Sequence, residues 1–455
     1  MSAANGALPP GPRMPVGLQT AIWVRRAQWL LTQCAARFGE TFTMRIAQEG
    51  TWVVLSNPEH IKQVFTGDPK VFHAGKGNQV LLPVLGEHSL LLLDEGAHME
   101  QRKLLLPPLH GKRMQRYGEM MGEIAAKEIE SWPSGEPYRL RPRMQAITLE
   151  IILRAVFGLE QGERLERLRV ELRRLLDMLT RPHMFIFLIA LGPEGLSRFR
   201  LFQRLHEQVD KLIYSEIAER RQVADLDQRE DILSMLLAAR HESPDDSRAG
   251  HSGEAGSRAP GEREGSPMTD REVRDELLTL LVAGHETTAT ALAWAVERLV
   301  RHPDKLARLT DEVGAGETEY LDAVVNETLR LRPVISLVAR RLTEPVEIGG
   351  WQLPAGVTVA PSIYLAHRRP DSYPNPERFE PERFLENPPG TYTWIPFGGG
   401  VRRCIGGAFA QYEMQVVLAE LVKRRQIAPA RPESERVFRR AITETPDRDA
   451  EVVLA

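Results

Sequence analysis

Phe397-Gly398-Gly399-Gly400-Val401-Arg402-Arg403-Cys404-Ile405-Gly406 is the most informative stretch of this 455-residue chain. Three consecutive glycines permit tight turns with positive φ and let backbone approach a flat ligand closely, so they shape a loop around one sulfur. Residues 408–422 then repeat with helical period. That sets Cys404 at a helix N-terminus, where the dipole and free N–H groups favour thiolate. Two readings stand open here: a sulfur fit to ligate a metal, or a buried cysteine on a glycine-rich turn. A zinc site is disfavoured, because no second cysteine or paired histidine stands at ligand spacing.

Working outward, the strongest helix start lies at Thr269, an N-cap with Glu272 three residues on, which forms a capping box. The periodic run continues to about Arg301 and is stopped by Pro303. At about 1.5 Å per residue it makes a rod of roughly 45–50 Å, long enough to cross the molecule. Inside it stands Ala283-Gly284-His285-Glu286-Thr287-Thr288. Gly284 costs about 1 kcal/mol relative to Ala in a helix interior, which suggests a packing or functional reason. Ala283 and Thr287 lie one turn apart, and with Gly284 they predict a small-residue notch beside a hydroxyl, sized for a diatomic ligand. Equally open, Thr287 bonds back to the carbonyl four residues earlier and Glu286 is an ordinary surface acid.

Glu327 and Arg330 share one face of a predicted helix over 321–331. Glu166/Arg169 and Glu171/Arg174 repeat that spacing and read as solvated pairs worth little. Between Arg330 and the cysteine loop runs Phe379-Glu380-Pro381-Glu382-Arg383-Phe384. Further upstream His98 and Arg102 stand i, i+4 on a predicted helix near Asp94, able to reach one anionic group or to face solvent.

These segments resemble, in order and spacing, the motifs of the cytochrome P450 superfamily. The cysteine loop is similar to F-x-x-G-x-R-x-C-x-G, the central hexapeptide to [AG]-G-x-[DE]-T-[TS], Glu327 to Arg330 to E-x-x-R, and the 379–384 run to the P-E-R-F segment. The resemblance covers essentially the whole chain and is nearest in feel to soluble actinobacterial and cyanobacterial members. It implies a mainly α fold with small β-sheets and haem b held between the long central helix and the C-terminal cysteine loop. By that resemblance Cys404 is the axial thiolate ligand of the iron, Phe397 packs near the sulfur, and Gly398 and Gly406 belong to the haem-binding loop. Arg402, His98, Arg102 and Arg340 serve the propionates, the neighbouring Arg341 leaving that last register open. Ala283 and Gly284 line the oxygen site, Thr287 steadies the activated oxygen by hydrogen bonding, and Glu286 relays solvent protons, general acid chemistry through a relay. Glu327, Arg330 and Arg383 form a buried charged triad that supports the loop.

The implied reaction inserts one oxygen atom from O2 into a lipophilic small molecule, with a ferredoxin and its ferredoxin reductase as electron donors. Family topology points to residues 72–91, 184–191, 334–338 and 441–443 as substrate contacts, although the apolar run 184–191 reads equally well as core. A peroxide-driven or isomerising relative and a non-catalytic haem sensor are the alternatives; the intact Glu286-Thr287 pair counts against the first.

The rest of the chain bounds these readings. Hydrophobic residues make up 42% and charged residues 27%, a globular composition. A net charge of -3 without a basic, aromatic-interleaved stripe gives no support for nucleic acid. Two cysteines, Cys34 and Cys404, fit a reducing compartment, so the expected location is the cytoplasm; a monomer is expected as well. No stretch reads as a signal peptide or membrane anchor. The first fifteen residues read as a proline-rich arm before a helix over 21–38, and 42–46 with 51–55 as a hairpin. Helical periods recur over 94–106, 113–132, 144–157, 163–179 and 201–221. Beyond Pro333 short strands and turns run through 346–359, followed by proline-rich coil to Pro396. Residues 242–267, poor in large apolar side chains, read as a flexible linker inside one catalytic domain spanning 1–455.

Overall fold

The computed structural model describes residues 8–109, 111, 113–158, 162–180, 192, 195–196, 199–241, 265–387 and 390–455. Most of the expected linker, 242–264, and the apolar run 184–191 lie outside them. Among the described residues the longer helices are Val16–Phe38 (α1), Pro58–Thr66 (α2), Glu95–Leu105 (α3), Arg113–Glu130 (α4), Arg141–Phe157 (α5), Glu163–Leu179 (α6), Arg200–Arg220 (α7), Ile232–Ala238 (α8), Asp270–Val300 (α9), Pro303–Ala315 (α10), Glu319–Leu331 (α11) and Gly407–Arg424 (α12). The strands are Thr41–Ile46 (β1), Gly50–Leu55 (β2), Phe72–His73 (β3), Pro137–Arg139 (β4), Arg340–Leu342 (β5), Val346–Ile348 (β6), Trp351–Leu353 (β7), Thr358–Pro361 (β8), Ile427–Pro429 (β9), Val437–Arg440 (β10), Thr443–Pro446 (β11) and Glu451–Leu454 (β12).

The axis of the fold is α9. Its capping box forms as expected: Thr269 accepts from the Glu272 backbone N–H, and the Glu272 carboxylate accepts from the Thr269 N–H at 2.7 Å. Those bonds satisfy donors that every helix start leaves orphaned. Apolar and small residues surround the helix, so most of it is buried and it packs on α5, α7, α11 and α12. A charged stretch in its first third is buried as well. Arg274 pairs with Asp210 of α7 at 2.5 Å, Asp275 meets His88 at 3.1 Å, and the Glu276 carboxylate accepts from the Leu90 N–H at 2.7 Å.

Beside the helices lies a five-stranded sheet ordered β1-β2-β8-β5-β3. The hairpin β1/β2 forms as expected, and its register sets Phe42 opposite Val54. Helix α1 starts at Val16, five residues before the expected boundary. The Gln19 side chain donates to the Met14 carbonyl at 2.8 Å and accepts from the Arg45 N–H at 3.0 Å, which ties the first turn to the proline arm and to β1. Strand β5 decides a register the sequence left open. Side chains alternate along a strand, so Arg340 turns inward and is buried, whereas Arg341 reaches the Glu49 carbonyl at the opposite side. The coil expected up to Pro396 contains two single helical turns, Ile363–Ala366 and Arg383–Glu386.

Behind the cysteine loop the expected triad is present. Arg330 and Glu327 are wholly buried and doubly bonded, at 2.6 and 2.8 Å. Arg383 approaches the same carboxylate at 3.3 Å, and the Glu380 N–H donates to it at 2.8 Å. Arg330 also donates to the carbonyls of His367, Pro376 and Arg378. The pairs Glu166/Arg169 and Glu171/Arg174 are partly solvated, as expected, with Arg169 also engaging Glu150.

His367 completes this support. Its Nε2 accepts from the Ile395 N–H at 2.8 Å, so its Nδ1 donates to the Arg330 carbonyl at 3.1 Å. Burial, with Arg330 beside it, holds the ring neutral, its pKa pushed down to about 3. The unfolded chain takes up a proton near the ordinary value of 6.5 and the folded chain does not. The stabilising contribution of His367 is therefore present above that value and is lost as pH falls towards 3. Denaturant titrations of wild type and His367→Gln should differ in pH slope across that window by up to about 1.4 kcal/mol per pH unit. Parallel slopes would count against the buried neutral ring.

Candidate active site

Each glycine of the cysteine loop can be asked what it does. Gly398 and Gly400 have φ of 67° and 64°, the left-handed region where a side chain is strained. A methyl on Gly400 would also overlap the Phe65 carbonyl, and one on Gly399 would overlap the Phe65 ring. The close approach anticipated for a flat ligand is thus, at Gly399 and Gly400, an approach to α2, which corrects that expectation. Gly406 adopts φ of -87° with open space beside its Cα, so neither backbone conformation nor protein packing demands a glycine there. The Cys404 N–H donates to the Phe397 carbonyl at 2.9 Å, closing the loop, and the Phe397 ring stands edge-on to Trp394 at 6.1 Å.

Cys404 is solvent-exposed, yet protein surrounds it, so its sulfur opens into an interior space. Two residues, Ile405 and Gly406, separate it from the start of α12. Burial raises the thiol pKa, against the opposing pull of the Gly406 N–H, Arg102 and Arg403. The pull towards thiolate expected at the helix terminus is present in the Gly406 N–H, and in the metal-free protein desolvation outweighs it. A bound cation would deprotonate this sulfur outright.

Beside the loop the sequence-predicted cations converge. His98 is buried, its pKa lowered to about 3 by desolvation and by the charges of Arg402, Arg102 and Arg340. Burial lowers Arg340 to about 10, with Arg402 adding to the effect. Arg402 is lowered to about 10 by burial, opposed by Asp94 and assisted by Arg102. Asp94, absent from the sequence-based candidates, is the N-cap of α3 and binds Arg402 at 2.6 Å. Arg402 donates also to the Leu90 and Leu93 carbonyls. Three guanidiniums against the Asp94 carboxylate leave two surplus positive charges, the complement of a dianion.

On α9, Ala283 is exposed and Thr287 half-buried while the flanking turns are buried. The Thr287 hydroxyl donates to the Ala283 carbonyl at 2.7 Å, the local back-bond that the sequence left open. Gly284 does not share this face. A methyl there would press on Ile152 of α5 at 3.2 Å, so the glycine admits α5, and the notch predicted around all three residues reduces to Ala283 and Thr287. Glu286 is no surface acid: it is buried and directed at α5, where Arg141 pairs with it at 3.2 Å and Gln145 donates to its other oxygen. Burial raises its pKa, with Arg141, Gln145 and Arg440 opposing. Arg141 and Gln145 had no signal in the sequence, since an Arg at a helix start and a Gln one turn on are ordinary surface residues until α5 is packed on α9.

The expected substrate segments divide. Val334 and Ser336 are buried, Ile335, Leu337 and Val338 half-buried, and Ile442 is exposed on a turn where Ala441 has φ of 52°. Leu82 is the exposed large apolar residue of segment 72–91.

An inward-facing sulfur, a short open stretch of helix and a doubly cationic edge are the donor set for one axial bond, one apolar ring and two carboxylates. That is the complement of haem, and it defines a haem-thiolate protein. The chain belongs to the cytochrome P450 family, whose sequence profile matches residues 9–440. It is 43% identical over 454 residues to the putative cytochrome P450 135B1 of Mycobacterium tuberculosis, spanning 98% of this chain and 91% of that protein. It is 38% identical to the putative cytochrome P450 135A1 of the same organism, spanning 100% and 96%. Among solved structures, the fold is similar to a cyanobacterial CYP120A1 with retinoic acid bound, with TM-score 0.81, 23% identity and 99% and 100% coverage. It is likewise similar to a cytochrome P450DA heme domain, with TM-score 0.78 and 22% identity. The chain is a haem-containing P450 monooxygenase, an oxidoreductase. Among the described residues no helix is long and apolar enough to cross a membrane.

Proposed function

We propose that the chain, acting as one catalytic unit, inserts an oxygen atom from O2 into a lipophilic small molecule, with electrons from a ferredoxin and its reductase. The single observation that carries this reading is the Cys404 sulfur opening inward beside the cationic cluster of Arg402, Arg340, Arg102 and His98. When bound, haem supplies dioxygen binding and reductive O–O cleavage, which a thiolate ligand promotes by donating electron density.

The protein's own residues do the remainder. Arg402, Arg340, Arg102 and His98 would hold the propionates, and Phe397 would shield the sulfur. Thr287, its hydroxyl proton committed to Ala283, would offer lone pairs to a hydrogen-bond donor beside this open stretch of α9. Glu286, whose burial favours the protonated form, supplies protons from the α5 side. Exposed Ile442 and half-buried Ile335 and Val338 favour an apolar substrate such as a terpenoid, fatty acid or polyketide, and apolar lining is what small-molecule pockets generally present. Two free cysteines fit a cytoplasmic protein.

The test is oxygen consumption by holoenzyme with ferredoxin, ferredoxin reductase and reduced nicotinamide, after a lipophilic library has been screened for spectral shifts of the ferric protein. Substrate-dependent oxygen use with oxygenated product is the expected result. Haem binding without turnover across a broad panel would favour a sensor instead. Thr287→Ala should divert electrons to hydrogen peroxide, reducing product per electron pair by about tenfold, roughly 1.4 kcal/mol of selectivity. Unchanged coupling would remove Thr287 from its role.

A further inference from the structure

Glu286 is one end of a buried chain of alternating charges that the family motifs do not include. Arg141 reaches it through Nη1 at 3.2 Å and reaches Asp449 through Nε at 2.6 Å. Arg440, at the end of β10, closes on the same Asp449 oxygen at 3.2 Å. Arg141, Glu286 and Asp449 are each more than nine-tenths buried, so their charges act on one another with little screening. Asp449 stands in the left-handed region at φ of 64°, and its carbonyl accepts from the Arg141 backbone N–H at 2.9 Å. One guanidinium therefore serves two carboxylates, and Asp449 holds the shorter of the two contacts.

The other oxygen of Glu286 is held by Gln145, which lines a cavity of about 690 Å³ between α4, α5 and α6 together with His285 and Asp177. His285 is neutral through burial and bonded to Thr148 at 3.0 Å. The charged groups facing Glu286 are thus Arg141 on α5, Arg440 on β10 and Asp177 on α6. Arg141 has the direct contact with the carboxylate, and Asp449 competes for it.

We propose that Asp449 is a positioning residue for the monooxygenase reaction: by drawing Arg141 towards itself it weakens the Arg141–Glu286 contact and keeps Glu286 able to hold, and hand on, a proton. It ties the acid of the central helix to the C-terminal hairpin that carries Ile442. Two opposite consequences follow from Coulomb's law. With the Asp449 charge removed, the Arg141 field acts on Glu286 undivided and Glu286 loses its proton at lower pH. With Arg141 removed, Glu286 keeps its proton to higher pH.

The experiment is an infrared titration of the protonated carboxyl band in the ferric holoenzyme, isolated by subtracting a matched Glu286→Gln protein. Asp449→Asn, which retains a residue tolerant of positive φ, should lower the midpoint by about one pH unit, and Arg141→Gln should raise it by about one unit or more. Arg141→Lys should raise it by less and stands in if Arg141→Gln does not fold. Midpoints that stay fixed, or that move the same way in both variants, overturn the proposal. So does an Asp449→Asn protein that loses thermal stability or haem with its midpoint unmoved, since that marks a purely structural role. The functional consequence rests on the proposed relay. If Glu286→Gln leaves product coupling unchanged, the relay reading fails even where the two midpoint shifts are found.

Discussion

Cys404→Ser is expected to abolish the red-shifted Soret band that carbon monoxide gives with reduced, haem-loaded protein, and to lower turnover at least about a thousandfold, some 4 kcal/mol of barrier. An alcohol is a far weaker acid than a thiol and does not furnish the electron-rich axial ligand that favours O–O cleavage. The loop itself should survive, because its closing bond runs from the residue 404 backbone N–H to the Phe397 carbonyl, and the glycine geometry around Phe65 does not involve the sulfur. Cys34→Ser is the control. That thiol is buried in α1, its pKa raised to about 11 by burial, and its loss should leave the spectrum unaltered. A thiolate-type spectrum persisting in Cys404→Ser would remove the metal ligand from this position.

Glu327→Ala should have the largest effect on folding. The change strands the wholly buried Arg330 guanidinium, and an uncompensated buried charge costs about 3–5 kcal/mol. Against a total stability of about 5–15 kcal/mol that is a large share. The Glu380 N–H and Arg383 lose their acceptor at the same time. The expected outcome is little folded, haem-loaded protein, measured as haem per chain after purification and as thermal midpoint. Arg383→Ala, at the partly exposed corner of the triad, should cost clearly less. Equal losses for the two variants would argue that the buried pair is not the element that matters.

The parts of the site written in contiguous sequence were legible. Phe397 to Gly406, Ala283 to Thr288, Glu327 with Arg330, and His98 with Arg102 each combine residue types whose chemistry depends on short spacing, and helical period fixes which of them share a face. The capping box at Thr269 is legible for the same reason, being closed by residues three apart. Helix α1 began earlier than periodicity indicated because its first turn is held from outside, by the proline arm and by β1. Gly284 was assigned to the oxygen site because a glycine inside a helix signals a close neighbour without saying on which side; Ile152 of α5 supplies that side.

From the sequence alone come the candidate ligand, the class of reaction and the long central helix, because a cysteine loop and a capped helix are built by neighbours along the chain, through local geometry and hydrogen bonding. Only the tertiary structure decides that Asp94 restrains Arg402, that Arg340 and not Arg341 faces the cationic cluster, and that Glu286 is a buried acid shared through Arg141 with Asp449. Those facts depend on which distant segments meet and on how much water they exclude. Burial and long-range charge pairing are properties of the packed molecule, and no local pattern encodes them.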